Sequence, residues 1–91
     1  MAAYIIVFQV SDEEKKKSVV EDIKRWIPSW ARITDNCYVV QTSKFNSRDI
    51  RTKLCHDRFS GDDRILVMNV EESGWASYNL PKEVTSYLND I

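Results

Sequence analysis

The residues of this chain that could take part in catalysis form no recognisable catalytic arrangement in the sequence. His56 is the only histidine, so a site built on several histidines is excluded, and acid–base chemistry would need a distant carboxylate. Its neighbour Cys55 points about 100° away if both lie on a helix, which disfavours a cysteine–histidine pair. Asp62 and Asp63 precede Arg64 in a polar turn, where a solvated loop is the expected environment. Without a glycine-rich phosphate loop or a G-x-S-x-G motif, the chain is predicted to use no cofactor and no small-molecule substrate.

Basic side chains form a more extended pattern. Residues 15–32 carry a net charge of +4 and residues 44–58 carry +3, whereas the whole chain carries −1. Cations on two helices can follow the phosphates of a nucleic acid, although a solvated helix exterior explains the same pattern. Trp26, Trp30 and Trp75 are expected to anchor the core or an interface, with base stacking as the alternative. The candidate nucleic-acid contacts are Lys15, Lys16, Lys17, Lys24, Arg25, Arg48, Arg51, Lys53 and Arg58.

Apolar runs and capping signals predict the elements that carry these residues. A first strand spans residues 4–10 and a late strand spans residues 64–70, and both are apolar on two faces. The first helix is expected to begin at Ser11, with Glu14 as its capping-box partner, and to end before Pro28.

A hairpin and two further helices complete the predicted elements. Strands at 30–34 and 37–42 flank Asp35-Asn36, a pair that favours a tight type I′ turn. A second helix begins at Asn46 or Ser47, and a short terminal helix begins near Pro81. The segment 71–74 breaks the late strand. The inward-facing residues are expected to be Ile50, Leu54 and either Cys55 or His56 in the second helix, and Val84, Tyr87 and Leu88 in the last.

This order predicts one α+β domain over residues 1–91. It is a ferredoxin-like β-α-β-β-α-β sheet with a short C-terminal helix and with both main helices on one face. The other face is also apolar and needs a cover, because a large exposed apolar patch marks an interface. A second copy of the chain is the simplest cover, and the segment after Gly74 is the alternative. The predicted homodimer buries Ile5, Val7, Ile65 and Val67, or their opposite-face neighbours.

Composition and cysteine usage bound the class of protein. With 43% hydrophobic and 30% charged residues, the chain is typical of a globular protein. No apolar run is long enough to span a bilayer, and the N-terminus lacks the features of a signal peptide. Cys37 and Cys55 lie outside any C-x-x-C pattern and are expected to be reduced thiols. These features favour a cytoplasmic protein with no membrane partner.

Several segments resemble a known family. Residues 6–11 resemble the first strand of the second CRISPR-associated protein family, the small ferredoxin-like partner of the spacer integrase. The SinR-like group of small bacterial and phage proteins is similar at a hairpin strand like 37–42 and a late strand like 63–67. It also has a tryptophan-containing turn before a Leu-Pro helix start, as at 74–76 and 80–83. The resemblance implies a dimeric ferredoxin-like domain.

Gln9 stands where that family has an aspartate at the end of the first strand. In the family this aspartate is the proposed metal ligand, contributed by both subunits, and a neutral amide binds Mg²⁺ far more weakly than a carboxylate. The nearest acid is Asp12, which helix capping explains. The resemblance therefore implies a non-enzymatic dimeric binding module that contacts nucleic acid or a partner protein. The alternative is a metal-dependent endonuclease, cleaving RNA or DNA, that uses Asp12 in place of the missing aspartate.

Overall fold

The computed structural model describes residues 2–71 and 74–90, which form a small α+β domain. Its elements follow one another in the order predicted from the sequence. The predicted strand break lies partly outside the described residues, because it includes Glu72 and Ser73. None of the helices in the described ranges is both long and apolar enough to cross a membrane. The strands are β1 (Ala2–Gln9), β2 (Ser29–Thr34), β3 (Cys37–Thr42) and β4 (Arg64–Asn69), and the helices are α1 (Glu13–Trp26), α2 (Ser47–Cys55) and α3 (Lys82–Asn89).

The four strands form one antiparallel sheet in the order β2-β3-β1-β4. Asp35 and Asn36 form the turn between β2 and β3 at the predicted place. The predicted type I′ conformation is wrong, because neither residue has the positive φ that it requires. Asn36 also ties this turn to β1. The N–H of Phe8 donates to the carbonyl oxygen of Asn36 at 2.9 Å, and the side-chain amide of Asn36 donates to the carbonyl oxygen of Phe8 at 3.1 Å. The tip of the hairpin is therefore fixed beside the end of β1.

One face of the sheet forms the core with α1 and α2. Ile6 lies at its centre, opposite Tyr38 of β3 and Val67 of β4. Because side chains alternate between the two faces of a strand, Tyr4 and Phe8 share this face with Ile6. The helices complete the core with apolar residues four positions apart, a spacing that puts them on one helical face. These helix-side residues are Val19, Ile23, Ile27, Ile50 and Leu54.

The opposite face, which we call the outer face, is covered on the side of β2 and as far as Ala3 of β1 and Val39 of β3, which are fully buried. There α3 packs against the strand, Ala31 and Val84 are buried, and the hydroxyl oxygens of Ser29 and Tyr87 lie 2.9 Å apart. Because β2 and β4 form opposite edges of the sheet, this helix leaves the side of β4 without the same cover.

The N-terminal caps of the two main helices show one error and one success of the sequence prediction. Asp12, not Ser11, caps α1, and the predicted Ser11–Glu14 capping box is wrong. Only a residue directly before the first helical turn can reach the free N–H groups of that turn. Asn46 caps α2 as predicted, in a capping box with Asp49. The two caps determine the residues at which α1 and α2 begin.

Asp63 is buried, contrary to the solvated turn predicted for it. Gly61, at a φ of +60°, bends the loop before β4, a conformation that suits glycine. The loop carries the Asp63 carboxylate to Lys15 of α1, whose ammonium group donates to it at 2.6 Å, and the N–H of Ser60 donates to it at 3.0 Å. The Asp63 side chain is only 4% exposed. The Lys15 hydrogen bond, followed by that of Ser60, lowers the pKa of Asp63 below its ordinary 3.8.

We expect Asp63→Asn to lower the stability of the protein at neutral pH and to flatten its loss of stability in acid. A carboxyl group whose pKa falls on folding stabilises the folded state above its unfolded pKa, and this contribution disappears as the pH falls through the folded value. The difference between wild type and variant should therefore shrink as the pH drops below 3.8. Urea unfolding at a series of pH values measures this. Asp62→Asn, at an exposed neighbour, is the matched control, and equal behaviour of both variants would contradict the expectation.

Candidate functional site

Three apolar side chains are exposed together on the uncovered side of the outer face. Val7, Leu66 and Met68 are 40%, 55% and 50% exposed. The register places Leu66 opposite Val7, and Met68 opposite Ile5. Directly opposed residues of an antiparallel pair have Cβ atoms about 5 Å apart, so the three form one surface, which we call the outer patch. A contiguous apolar patch of this kind marks an interaction site.

The predicted set of dimer residues combines side chains from two different faces of the sheet. Ile65 and Val67 do not share a face with Ile5 and Val7. The antiparallel register pairs Ile65 with Phe8, so Ile65 and its alternate neighbour Val67 pack against the core. Their neighbours Leu66 and Met68 lie on the outer face instead. The residues from Ile65 to Met68 are all apolar, so they show no alternation that predicts which of them face the core.

Polar side chains close one end of the outer patch. Gln9 and Arg64 are paired at the ends of β1 and β4, and both are exposed. With Asn36 they line an open groove of about 430 Å³ that continues to Val7 and Leu66. Among the described residues that line the groove there is no carboxylate. The position where the family resemblance implies a metal ligand therefore offers two amides and a guanidinium group, whose charge repels a cation.

Asp12, the alternative metal ligand, is engaged in capping α1. Its Oδ1 accepts hydrogen bonds from the N–H groups of Glu14 at 2.8 Å and Lys15 at 3.4 Å. Within residues 2–71 and 74–90, no three histidine, cysteine, aspartate or glutamate side chains are grouped to hold a metal ion. Capping accounts for the position of Asp12 without a metal.

Two further aromatic side chains are exposed in the segment between β4 and α3. Trp75 is 45% exposed and Tyr78 is 94% exposed. The predicted role of Trp75 as a core anchor is therefore wrong, and its role in an interface stays a prediction. Together with the outer patch, these two residues make up the large apolar side chains that are exposed in the described part of the chain.

The nine predicted nucleic-acid contacts do not share one environment. Lys15 and Arg58 form ion pairs with Asp63 and Asp22, and their side chains are mostly buried, so they hold elements together instead of facing solvent. Lys16 lies 4.0 Å from Asp35, at the limit of an ion pair. The other six are exposed, namely Lys17, Lys24, Arg25, Arg48, Arg51 and Lys53.

Some of the exposed cations lie over aromatic rings. Lys24 is 4.6 Å from the ring centroid of Trp30. Lys53 is 5.2 Å from the ring centroids of both Trp26 and Phe45, which brings α1, α2 and the loop before α2 together. Phe45 was not among the predicted site residues. The dipeptides Arg25-Trp26 and Lys44-Phe45, each a cation beside an aromatic residue, were the signal available in the sequence.

Cys55 and His56 form no catalytic pair in the structure. His56 is exposed, and its Nε2 lies 3.2 Å from a carboxylate oxygen of Asp57. Cys55 is half-buried, and burial raises the pKa of its thiol against the lowering effect of Arg51 and Arg58. Burial likewise raises the pKa of the Cys37 thiol. Both thiols therefore stay protonated and weakly nucleophilic at neutral pH.

Known protein families and curated proteins give no match to this chain.

Proposed function

We propose that this chain is a non-enzymatic binding module that assembles as a homodimer through its outer patch. The observation that carries the proposal is the joint exposure of Val7, Leu66 and Met68 on one side of the sheet. In the isolated chain these three apolar side chains, which lie on adjacent strands, remain partly exposed to water. Burying apolar surface contributes about 25 cal/mol per Å², which favours a partner on this face.

A ferredoxin-like assignment of the domain is part of the same proposal. Its support is the order β2-β3-β1-β4 with antiparallel neighbours, together with the packing of α1 and α2 in one core. On this assignment the chain is a catalytically silent relative of the second CRISPR-associated family and the SinR-like group. The free thiols of Cys37 and Cys55 fit a reducing compartment such as the cytoplasm.

A second copy of the chain is the partner that the charges around the outer patch favour. Arg64 begins β4, and Glu71 lies just beyond its other end, where both residues are exposed. A two-fold axis through the middle of the strand sets two copies of β4 antiparallel, so Arg64 of each protomer approaches the end of the partner's β4, beyond which the exposed Glu71 lies. The patch between these charges is uncharged, and a two-fold interface requires this kind of self-complementary surface.

The lack of a carboxylate among the described residues that line the groove supports a binding role over the endonuclease alternative. Phosphodiester hydrolysis by a metal ion needs ligands that hold the ion and leave it open to water. Gln9 and Arg64 occupy the sheet end, while Asp12 holds the first turn of α1. Asp12 therefore has a structural role as a helix cap, and Gln9 and Arg64 are available for contacts with a partner.

We expect the wild-type protein to sediment as a dimer at micromolar concentration and Leu66→Lys to sediment as a monomer. A lysine at the centre of the patch would leave a charge buried without a partner, which costs about 2–5 kcal/mol in an interface. Since about 1.4 kcal/mol corresponds to a tenfold change, the dissociation constant should rise about 100-fold. Sedimentation equilibrium over a dilution series measures it.

The matched control is Thr52→Lys, which adds the same charge at an exposed position of α2. It should leave the dimer intact. A wild-type protein that is monomeric at these concentrations, or a Leu66→Lys variant that remains as dimeric as the control, would show that the outer patch is not the dimer interface.

A further inference from the structure

Five side chains from three segments form a cluster on the helical side of the sheet. Arg25 and Trp26 end α1, Lys44 and Phe45 lie in the loop before α2, and Lys53 belongs to α2. We call them the aromatic–cation cluster. Lys53 lies 5.2 Å from both ring centroids, Arg25 lies 5.8 Å from Trp26, and Lys44 lies 5.7 Å from Phe45. Each ring therefore has two cations within reach.

The rings of Trp26 and Phe45 pack against apolar side chains of the core. Trp26, Phe45 and Lys53 line a small recess together with apolar residues of the core, and both rings are half-buried. A ring that packs on a core with one side and meets solvent with the other is a fixed, flat, accessible surface. The core residues beneath it are Ile23, Ile27, Ile50 and Leu54.

The cluster carries a net positive charge. Lys44 and Lys53 have no ion-pair partner within residues 2–71 and 74–90. Arg25 pairs with Asp22, but that carboxylate is also neutralised by Arg58. No acidic residue lines the recess among the described residues. The site therefore favours an anionic ligand, unlike the mixed charges elsewhere on α1.

We propose that the aromatic–cation cluster binds single-stranded nucleic acid. Phosphates supply the charge that the cations lack, and unpaired bases supply flat faces that stack on aromatic side chains, a combination typical of single-strand sites. Lys53 is exposed, and the four-carbon stem of a lysine lets its ammonium group move from the ring face to a phosphate when a base binds. A duplex keeps its bases stacked inside, and an acidic peptide has no comparable flat surface. The charge pattern alone fits both, but the paired rings favour a single strand.

The site is separate from the proposed dimer interface. The cluster lies on the side of the sheet that α1 and α2 cover, whereas the outer patch lies on the opposite face. A dimer built through the outer patch leaves both clusters free, one on each side of the assembly. Binding at the cluster does not require the dimer, so a monomeric protein would still test this inference.

Fluorescence anisotropy with a labelled strand of about 12 nucleotides, within the range of single-strand sites, measures the binding. We use poly-U RNA, poly-T DNA and a duplex of the same length, at about 50 mM salt and then at higher salt. Wild type should bind both single strands at least tenfold more tightly than the duplex.

The Trp26→Leu variant should bind the single strands about tenfold more weakly because it lacks a stacking surface. The Trp26→Phe variant, which keeps an aromatic ring, should retain most of the wild-type affinity. Lys53→Ala should weaken binding and reduce the salt slope by about 1.

Matched controls separate the cluster from general charge. Lys82→Ala removes an exposed cation in α3, and Tyr78→Leu removes an exposed aromatic ring in the segment before it; both should bind like wild type. Circular dichroism establishes that each variant is folded, and Lys53→Ala, at an exposed position, tests the site even if Trp26→Leu unfolds. The inference is overturned by equal losses in Lys53→Ala and Lys82→Ala, by a preference for the duplex or for a poly-glutamate peptide, or by no binding at low salt.

Discussion

Phe8→Ala is expected to lower the free energy of unfolding by about 3–5 kcal/mol, the range found for large aromatic residues removed from cores. Phe8 is 2% exposed and packs in the core beneath both helices, where its ring stacks near that of Tyr38 at 6.5 Å between centroids. The substitution leaves a cavity that the paired strands on either side cannot close. Urea denaturation measures the loss. It is carried out at one fixed protein concentration, because the stability of the proposed dimer would depend on concentration.

Tyr78→Ala is the matched control for Phe8→Ala. It also removes an aromatic ring, but from a side chain that is 94% exposed, and surface substitutions usually change stability by less than about 0.5 kcal/mol. A loss below about 1.5 kcal/mol for Phe8→Ala, well under the range for a buried aromatic residue, would contradict the core described for β1.

Arg58→Met is expected to cost about 2–3 kcal/mol of stability. The Arg58 guanidinium group donates to the hydroxyl oxygen of Ser18 at 2.6 Å and to the carbonyl oxygen of Leu54 at 2.9 Å, and it lies 2.8 Å from the carboxylate of Asp22. Both charged side chains are 13% exposed. Breaking a fully buried pair costs about 3–5 kcal/mol, and here Arg25 still accompanies Asp22, which reduces the expected loss.

A double-mutant cycle separates the pair from the other contacts of Arg58. Asp22→Asn, Arg58→Met and the double variant are compared by urea denaturation, with Arg48→Met at an exposed position of α2 as the control. We expect a coupling energy of about 1 kcal/mol or more between the two sites, since contacting charges interact non-additively. Strictly additive losses, or a control that loses as much as Arg58→Met, would show that this ion pair does not hold α1 to the segment after α2.

Local signals in the sequence predicted the elements well. The order of strands and helices, the position of the turn at Asp35-Asn36 and the cap at Asn46 were all correct, whereas the type I′ conformation predicted for the turn was wrong. Each depends on residues that lie within a few positions of one another, because helix periodicity, turn chemistry and capping act over that range. The cap at Ser11 failed by a single position, which is the usual uncertainty of an element boundary.

Contacts between distant segments were not predictable in the same way. The face of Leu66 depends on the register between β1 and β4, which the uninterrupted apolar run at 65–68 does not encode. The burial of Asp63 depends on Lys15, which is 48 residues away in the chain. Arg58 looked like a solvent-facing cation until the structure placed it against Ser18 and Asp22. In each case the burial or exposure of the residue depends on a contact with a segment that is distant in the sequence.

The aromatic–cation cluster illustrates a site that the sequence showed only in parts. Lys53 and Arg25 were among the predicted nucleic-acid contacts, and Trp26 was expected in a core or an interface. Their meeting point depends on how α1 crosses α2, and Phe45 enters it from a loop that had no predicted role. The charge pattern along a helix predicts whether its surface is positive or negative. The kind of ligand that the surface can bind also depends on the side chains that other segments bring beside those charges.

The most direct test of the proposed homodimer is an isotope-filtered nuclear Overhauser measurement on an equal mixture of labelled and unlabelled protein. It detects contacts only between protomers. The proposal predicts signals from the methyl groups of Leu66 in one protomer to those of Val7, Leu66 or Met68 in its partner, because these side chains form the outer patch. Intermolecular signals that come only from α1 and α2, or none at all, would contradict it.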